Sequence, residues 1–311
     1  MKLLLTGAFS WTAAQMNVLR NLGVELLFVE REDAPLTDNE KSVDVVICNW
    51  LFAHHKMEEF ENLKYVQLLS AGMERVPLEY IKKHNIQIRN ARGVYSIPMA
   101  EFVLGGVLQL LKSSRFFYKN QQKKCWEKNR NLIELFNKRV LIIGTGSVGT
   151  EIAKRFLAFT EFVRGVDLSS SDIPYFEEVV PIEKIDEELS VADIVVVTLP
   201  LTSKTYHLFD SERFSKMKDN AIFVNIARGG LVDENALSNA LDNKLYGAVL
   251  DVFESEPLPP NSDFWKRENV ILSPHNSFVS ENNNNRMWNV IYQNLEGFLC
   301  LEGKDLNKIR E

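Results

Sequence analysis

The sequence predicts an α/β fold with parallel sheets covered on both faces, and three observations carry that prediction. Short apolar runs alternate with helical patterns almost throughout. Runs such as Val43-Asp44-Val45-Val46-Ile47 and Asp193-Ile194-Val195-Val196-Val197 are too uniformly apolar for a sheet wetted on one side. The stretches between runs are long enough for right-handed crossover helices. A chain of 311 residues, at ~100–200 residues per domain, has room for two such units.

The strand candidates fall into two series. The first comprises residues 3–5, 24–29, 43–48, 65–69 and 86–89; the second comprises 140–143, 162–166, 194–199, 221–225, 247–252 and 270–272. The opening Met1-Lys2-Leu3-Leu4-Leu5 is read as a first buried strand rather than a secretory leader, because Thr6-Gly7 and Ser10 interrupt it and a second strand-like run follows. A long helical region, about 97–135, separates the series. Pro98 lies near its first position, and an apolar stripe runs through Met99-Ala100-Glu101-Phe102-Val103-Leu104 before the charged patch 119–130. This region is the expected connector, with its second half exposed or packed on a partner subunit. The last helix, about 281–301, follows completion of the second sheet and is expected to return to the first domain. The resulting organisation is residues 1–95 plus 282–311 as one domain and 96–281 as the other.

Composition narrows the function. Hydrophobic residues make up 45% and charged residues 25%, which argues against disorder. A net charge of −6 with no basic cluster makes a nucleic-acid partner a poor fit. No apolar run approaches the ~20 residues needed to span a bilayer, so no membrane role is expected. Cys48, Cys125 and Cys300 are odd in number, widely spaced and in apolar settings, which fits reduced thiols in a cytoplasmic protein. His54-His55 lacks further ligands at metal spacing, so no metal is expected.

The strongest local signal is Val140-Leu141-Ile142-Ile143-Gly144-Thr145-Gly146-Ser147-Val148-Gly149, a strand running into G-x-G-x-x-G with a helical pattern behind it. Gly144 permits the tight turn, Gly146 lets backbone approach a pyrophosphate, and Gly149 lets helix and strand pack closely. The helix N-terminus then offers N–H groups and partial positive charge to phosphates. A second strand ends at Asp167, eighteen residues after Gly149, where a carboxylate would accept from an adenosine ribose. The register of strand, glycines, helix, strand and acid points to dinucleotide binding. Asp167 also favours NAD over NADP, since a ribose 2′-phosphate ~4 Å away at an effective dielectric of ~20 is repelled by about 4 kcal/mol. Hydroxyls of Ser169-Ser170-Ser171 could soften that repulsion, but no Arg or Lys follows Asp167 to bind the phosphate.

At Asn225-Ile226-Ala227-Arg228-Gly229-Gly230-Leu231-Val232-Asp233 the chain resembles the D-isomer-specific 2-hydroxyacid dehydrogenase family. The likeness continues through Leu250-Asp251-Val252-Phe253-Glu254-Ser255-Glu256-Pro257-Leu258 and Ser273-Pro274-His275. It also includes Leu69-Ser70-Ala71-Gly72, Ala100-Glu101-Phe102, the glycine loop and Leu199-Pro200-Leu201-Thr202, in the family's order over essentially the whole chain. The resemblance implies two Rossmann-like or flavodoxin-like domains with parallel sheets and an active-site cleft between them. It implies that Arg228 holds the substrate carboxylate and carbonyl oxygen, a task suited to a planar, permanently charged fork. His275 would exchange a proton with the substrate oxygen, and Glu256 would orient His275 and stabilise its cation. Ala71 and Gly72 would offer backbone N–H groups to the substrate carboxylate. On the coenzyme side, Ser147 and Val148 would face the pyrophosphate with their backbone. Leu199 and Pro200 would line the adenine with Thr205 nearby, Ile226 and Ala227 would approach the nicotinamide, and Asp251 would accept from its carboxamide.

The expected activity is therefore NAD-dependent interconversion of a small 2-keto acid and a D-2-hydroxy acid by a homodimer. The alternative is a dinucleotide-responsive, corepressor-like binding module without turnover. A formate dehydrogenase fits less well, because that branch carries Gln where Glu256 stands. A phosphoglycerate dehydrogenase stays open, with Arg75, Arg89 or Arg92 available to a phosphate. One departure follows the histidine: Asn276-Ser277-Phe278 stands where many relatives have smaller residues, and Phe278, with Met99 and Phe52, either narrows the substrate pocket or, the reading favoured for each alone, packs in the core or between domains.

Overall fold

A computed structural model describes residues 1–170 and 172–308. The chain folds as two units, Met1–Tyr95 with the segment from Ser280 on, and Ser96–Val279.

In the first unit, β1 (Lys2–Thr6), β2 (Glu25–Val29), β3 (Val45–Cys48), β4 (Tyr65–Leu68) and β5 (Gln87–Arg89) form an all-parallel sheet ordered β2-β1-β3-β4-β5. This is the flavodoxin-like order. Successive side chains on a strand point to opposite faces, so each apolar run supplies two cores. Leu3, Leu5, Val45 and Ile47 pack with Met287, Ile291, Leu295 and Phe298 of the helix Asn283–Lys308. On the other face, Leu4, Val46, Val66 and Leu68 meet Leu51, Met57, Phe60 and Ile81. Each such burial contributes roughly 1.5–3 kcal/mol. Buried Gln67 is satisfied by Tyr65 Oη and Asn294 Nδ2, both 3.0 Å from its Oε1.

The second unit holds seven parallel strands: β6 (Val140–Ile143), β7 (Val163–Asp167), β8 (Glu178–Pro181), β9 (Ile194–Val197), β10 (Ile222–Asn225), β11 (Gly247–Leu250) and β12 (Val270–Leu272). Their order, β12-β11-β10-β9-β6-β7-β8, reverses direction at β6/β9, as in a Rossmann sheet. Val140, Ile142, Val196 and Val224 face Ala100, Val103 and Val107 of the helix Ser96–Leu111 and Ile152 and Phe156 of the helix Ser147–Phe156. Leu141, Ile143, Val195 and Phe223 face Phe209, Phe214 and Leu237.

Three expectations need correction. The strand β8 escapes the sequence pattern because it is an edge strand with only Val179 and Val180 buried, bounded by exposed Glu178 and half-exposed Pro181. The long helix is two helices: Ser113 turns left-handed at φ 50° between Ser96–Leu111 and Ser114–Lys123, and Lys124 does so again at φ 55°. Residues 124–135 are not helical. The second helix buries no residue, so packing does not prolong it through the charged patch. The cysteines also differ in setting: Cys48 lies in the core, where burial pushes its thiol pKa well up, whereas Cys125 and Cys300 are exposed. No helix among the described residues is long and apolar enough to cross a membrane.

Candidate active site and coenzyme cradle

The second unit gathers most of the expected site at the carboxyl ends of its strands, where open α/β sheets bind ligands. On one side of the switch point, β6 runs into Gly144, whose φ of 101° is open to glycine but strained for other residues. Gly149 packs against the same turn so closely that an added Cβ would stand 2.1 Å from Gly144 O. Nothing lies within 4 Å of a Cβ added at Gly146, the residue that caps the helix carrying Ser147 and Val148 in its first turn. A diphosphate fits this cradle: open space, approachable backbone and a helix N-terminus.

Asp167, at the end of β7, is anchored beside the cradle. Its Oδ2 accepts from Thr145 N (2.8 Å) and Thr145 Oγ1 (2.7 Å), and its Oδ1 accepts from Leu168 N (2.8 Å). Burial pushes this carboxyl pKa up, but those three donors outweigh it and hold the group below its ordinary value. The carboxylate stays ionised at neutral pH and retains about one of its ~four acceptor positions for a ribose hydroxyl. Thr145 is a contributor the sequence pattern did not single out; its place between the first two glycines was the available signal. Of the three serines after Asp167, Ser171 lies outside the described residues. After β9, Leu199 is buried, Pro200 is exposed, and Thr205 Oγ1 donates to Pro200 O at 2.8 Å, closing the turn that carries them.

On the other side of the switch point, β10, β11 and β12 are register neighbours, with Asn225 opposite Leu250 and Leu250 opposite Leu272. Arg228 follows Asn225 by three residues, Asp251 follows Leu250 directly, and His275 follows Leu272 by three. Asn225 sets the first of these ends, donating to Arg228 O (2.9 Å) and accepting from Ala227 N (3.1 Å). Ile226 is buried in the core. Half-buried Arg228 donates from Nη1 to Ala227 O at 2.7 Å. His275 Nδ1 lies 2.8 Å from Glu256 Oε2, and Glu256 Oε1 accepts from Phe253 N at 3.0 Å. The Phe278 ring stands edge-on to the His275 imidazole, 6.2 Å between centroids.

Asp251, expected at the nicotinamide carboxamide, lies directly beyond β11. It is 0% exposed, and its carboxylate accepts three hydrogen bonds from within the chain, as that of Asp167 does. Oδ1 accepts from Ser273 Oγ and from Asn276 N (2.7 Å), Oδ2 accepts from Ser277 N (3.0 Å), and its carbonyl accepts from His275 N (2.7 Å). The loop 273–277 is thus folded around a buried carboxylate, which holds His275 in a left-handed backbone conformation at φ 50°. Ser273 and Ser277 are partners that no spacing rule in the sequence singled out.

In the first unit, Ala71 and Gly72 follow β4. Their carbonyls are tied by Asn90 Nδ2 (2.5 Å) and Ser70 Oγ (2.9 Å), which fixes the turn's orientation. Phe52 packs edge-on against Phe60 in the same unit, and Met99 packs on the core of the second unit. Among the described residues, no group of three or more His, Cys, Asp or Glu could hold a metal ion.

Sequence comparison decides the family. The NAD binding domain of the D-isomer specific 2-hydroxyacid dehydrogenases matches residues 104–277. The chain belongs to that family. A glyoxylate reductase of Thermofilum pendens is 33% identical to this dehydrogenase over 82% of its length and 79% of the relative's. The structure of a D-isomer specific 2-hydroxyacid dehydrogenase family protein from Aeromonas salmonicida superposes with a TM-score of 0.77 at 29% identity, covering 96% of this chain and 95% of that one. A D-isomer specific 2-hydroxyacid dehydrogenase from Xanthobacter autotrophicus, solved with NADPH, gives 0.73 at 26% identity, covering 94% and 92%. This dehydrogenase is accordingly an NAD(P)-dependent oxidoreductase of 2-keto and D-2-hydroxy acids, and the cradle described above suits its coenzyme.

Proposed function

We propose that the dehydrogenase reduces a small 2-keto acid, glyoxylate or a near analogue, with Arg228, Glu256 and His275 as its working side chains. The observation that carries this reading is the 2.8 Å pair of His275 Nδ1 and Glu256 Oε2, set beyond β12 and β11, the two strands that follow in order from β10, which leads to Arg228. With Nδ1–H directed at Glu256, the imidazole keeps Nε2 for proton exchange with the substrate oxygen. Arg228 pairs with the substrate carboxylate through a charge-assisted fork. Ala71 and Gly72 add backbone donors. The bound nicotinamide supplies or accepts the hydride. Gly144, Gly146, Gly149 and the backbone of Ser147 and Val148 hold its diphosphate, Asp167 its ribose, and Leu199, Pro200 and Thr205 the adenine side.

Coenzyme choice varies among relatives, since the Xanthobacter autotrophicus protein was solved with NADPH. In this chain it rests on Asp167, an ionised carboxylate with no neighbouring Arg or Lys in its loop. Oxidation of NADH and NADPH is measured across glyoxylate, hydroxypyruvate, pyruvate and longer or aromatic keto acids. Turnover is highest with the small acids, and kcat/KM for NADH exceeds that for NADPH by at least about tenfold. Equal kcat/KM with both coenzymes overturns the coenzyme assignment. NADH binding without turnover of any keto acid overturns the enzymatic one in favour of a binding module.

A homodimer completes the reading. Phe117, Tyr118, Leu132 and Phe136 are exposed on the same stretch of chain as Trp126, which is 98% exposed. An apolar surface of this kind suits a second copy. Light scattering gives about twice the 35.7 kDa chain mass; a single-chain mass at micromolar concentration counts against the dimer.

A further inference from the structure

We propose that His207 is a positioning residue that fastens the segment carrying Arg228 to the loop carrying Glu256; this role rests on the assignment of those residues above. The loop from Asp251 to Pro257 lies beyond β11, forms no ladder, and is exposed from Glu254 to Pro257. Holding such a segment in one conformation costs backbone entropy at every residue, so contacts must define it. Its backbone lies directly against the Arg228 segment. An added Cβ at Gly229 would stand 1.9 Å from Phe253 C and 2.3 Å from Glu254 N, so only glycine lets these strand ends meet.

His207 spans the same junction. Its backbone N donates to Gly230 O at 2.8 Å, while its Nε2 reaches Glu254 Oε1 at 2.5 Å. It does so from a left-handed conformation, φ 48°, with the Tyr206 ring stacked on the imidazole at 4.0 Å and 15°. The loop is gripped from the other side by Glu234, whose Oε1 accepts from Glu254 N at 2.8 Å. The Glu254 backbone is therefore held between two elements, one residue from the Phe253 N–H that orients Glu256. Two carboxylates, Glu234 and Glu254, meet at this point, and the imidazole is the donor that holds the second toward His207. The hydrogen bonds of His207 run to Gly230 and Glu254, so it acts through Glu256 and, behind it, His275.

The test is a double-mutant cycle on the full-length enzyme. His207→Ala lowers kcat for the keto acid by about ten- to a hundredfold, the scale of a small misplacement of a working group, while the NADH Kd is unchanged. His207→Gln, which restores an Nε2 donor, recovers most of that loss. In a Glu256→Gln background, His207→Ala adds less than about twofold, because the group it positions is already disabled. Should His207→Ala fail to fold, Glu254→Ala removes the same contact from an exposed residue and gives the same cycle. Independent, multiplicative effects of His207→Ala and Glu256→Gln, or no recovery by glutamine, overturn this inference alone. A Glu256→Gln enzyme with normal kcat overturns instead the assignment on which it rests.

Discussion

His275→Ala retains NADH binding and loses turnover by about 10²–10⁴-fold, the range for removing a positioned general acid–base group. The imidazole stands beyond β12, paired to Glu256 Oε2 at 2.8 Å, whereas the glycine cradle and Asp167 stand beyond β6 and β7. Removing it leaves every coenzyme-facing group in place. Arg228→Ala has a different signature. It removes the half-buried cation proposed to pair with the substrate carboxylate, at about 2–5 kcal/mol, and raises KM for the keto acid as well as lowering kcat. Fluorescence titration of NADH beside steady-state kinetics separates the two. Near-normal turnover in either variant contradicts its assigned role.

Asp251→Ala is the most damaging change expected for stability. Its carboxylate is 0% exposed and accepts from Ser273 Oγ and from the N–H groups of Asn276 and Ser277. Truncation orphans all three donors around a small cavity, at about 1–3 kcal/mol for each buried polar group left unpaired. With partial relaxation the total is about 3–5 kcal/mol, a large share of the ~5–15 kcal/mol that stabilises a typical domain. Asp251→Asn keeps one acceptor oxygen but turns a donor toward another, so it falls between wild type and alanine. Urea midpoints measured by circular dichroism check the order wild type, Asn, Ala. An alanine variant within about 0.5 kcal/mol of wild type shows that the loop 273–277 does not depend on the carboxylate.

Strand positions were readable because burial imposes a local signature. A central parallel strand must be apolar on both faces, and β3, β6, β9, β10 and β11 are buried at every residue. Where burial is partial the signature fades, as at β8, and where a helix has no buried face its end is set by backbone turns such as those at Ser113 and Lys124. The glycine turn with Asp167 was also readable, since steric permission and a charge at a strand end are properties of single residues. Arg228, Glu256 and His275 came instead from family resemblance, not from any rule of spacing.

The amino-acid order by itself thus determined the α/β architecture, the coenzyme cradle and the residue types available for chemistry, because these follow from local burial period and backbone stereochemistry. Only the folded chain decided who pairs with whom: Thr145 with Asp167, Asp251 with the His275 loop, and His207 with Glu254. These partners are 22 to 47 positions apart, and their meeting depends on strand order and register. A hydrogen bond between distant residues leaves no periodic trace in either segment, so it is visible only once the strands are laid side by side.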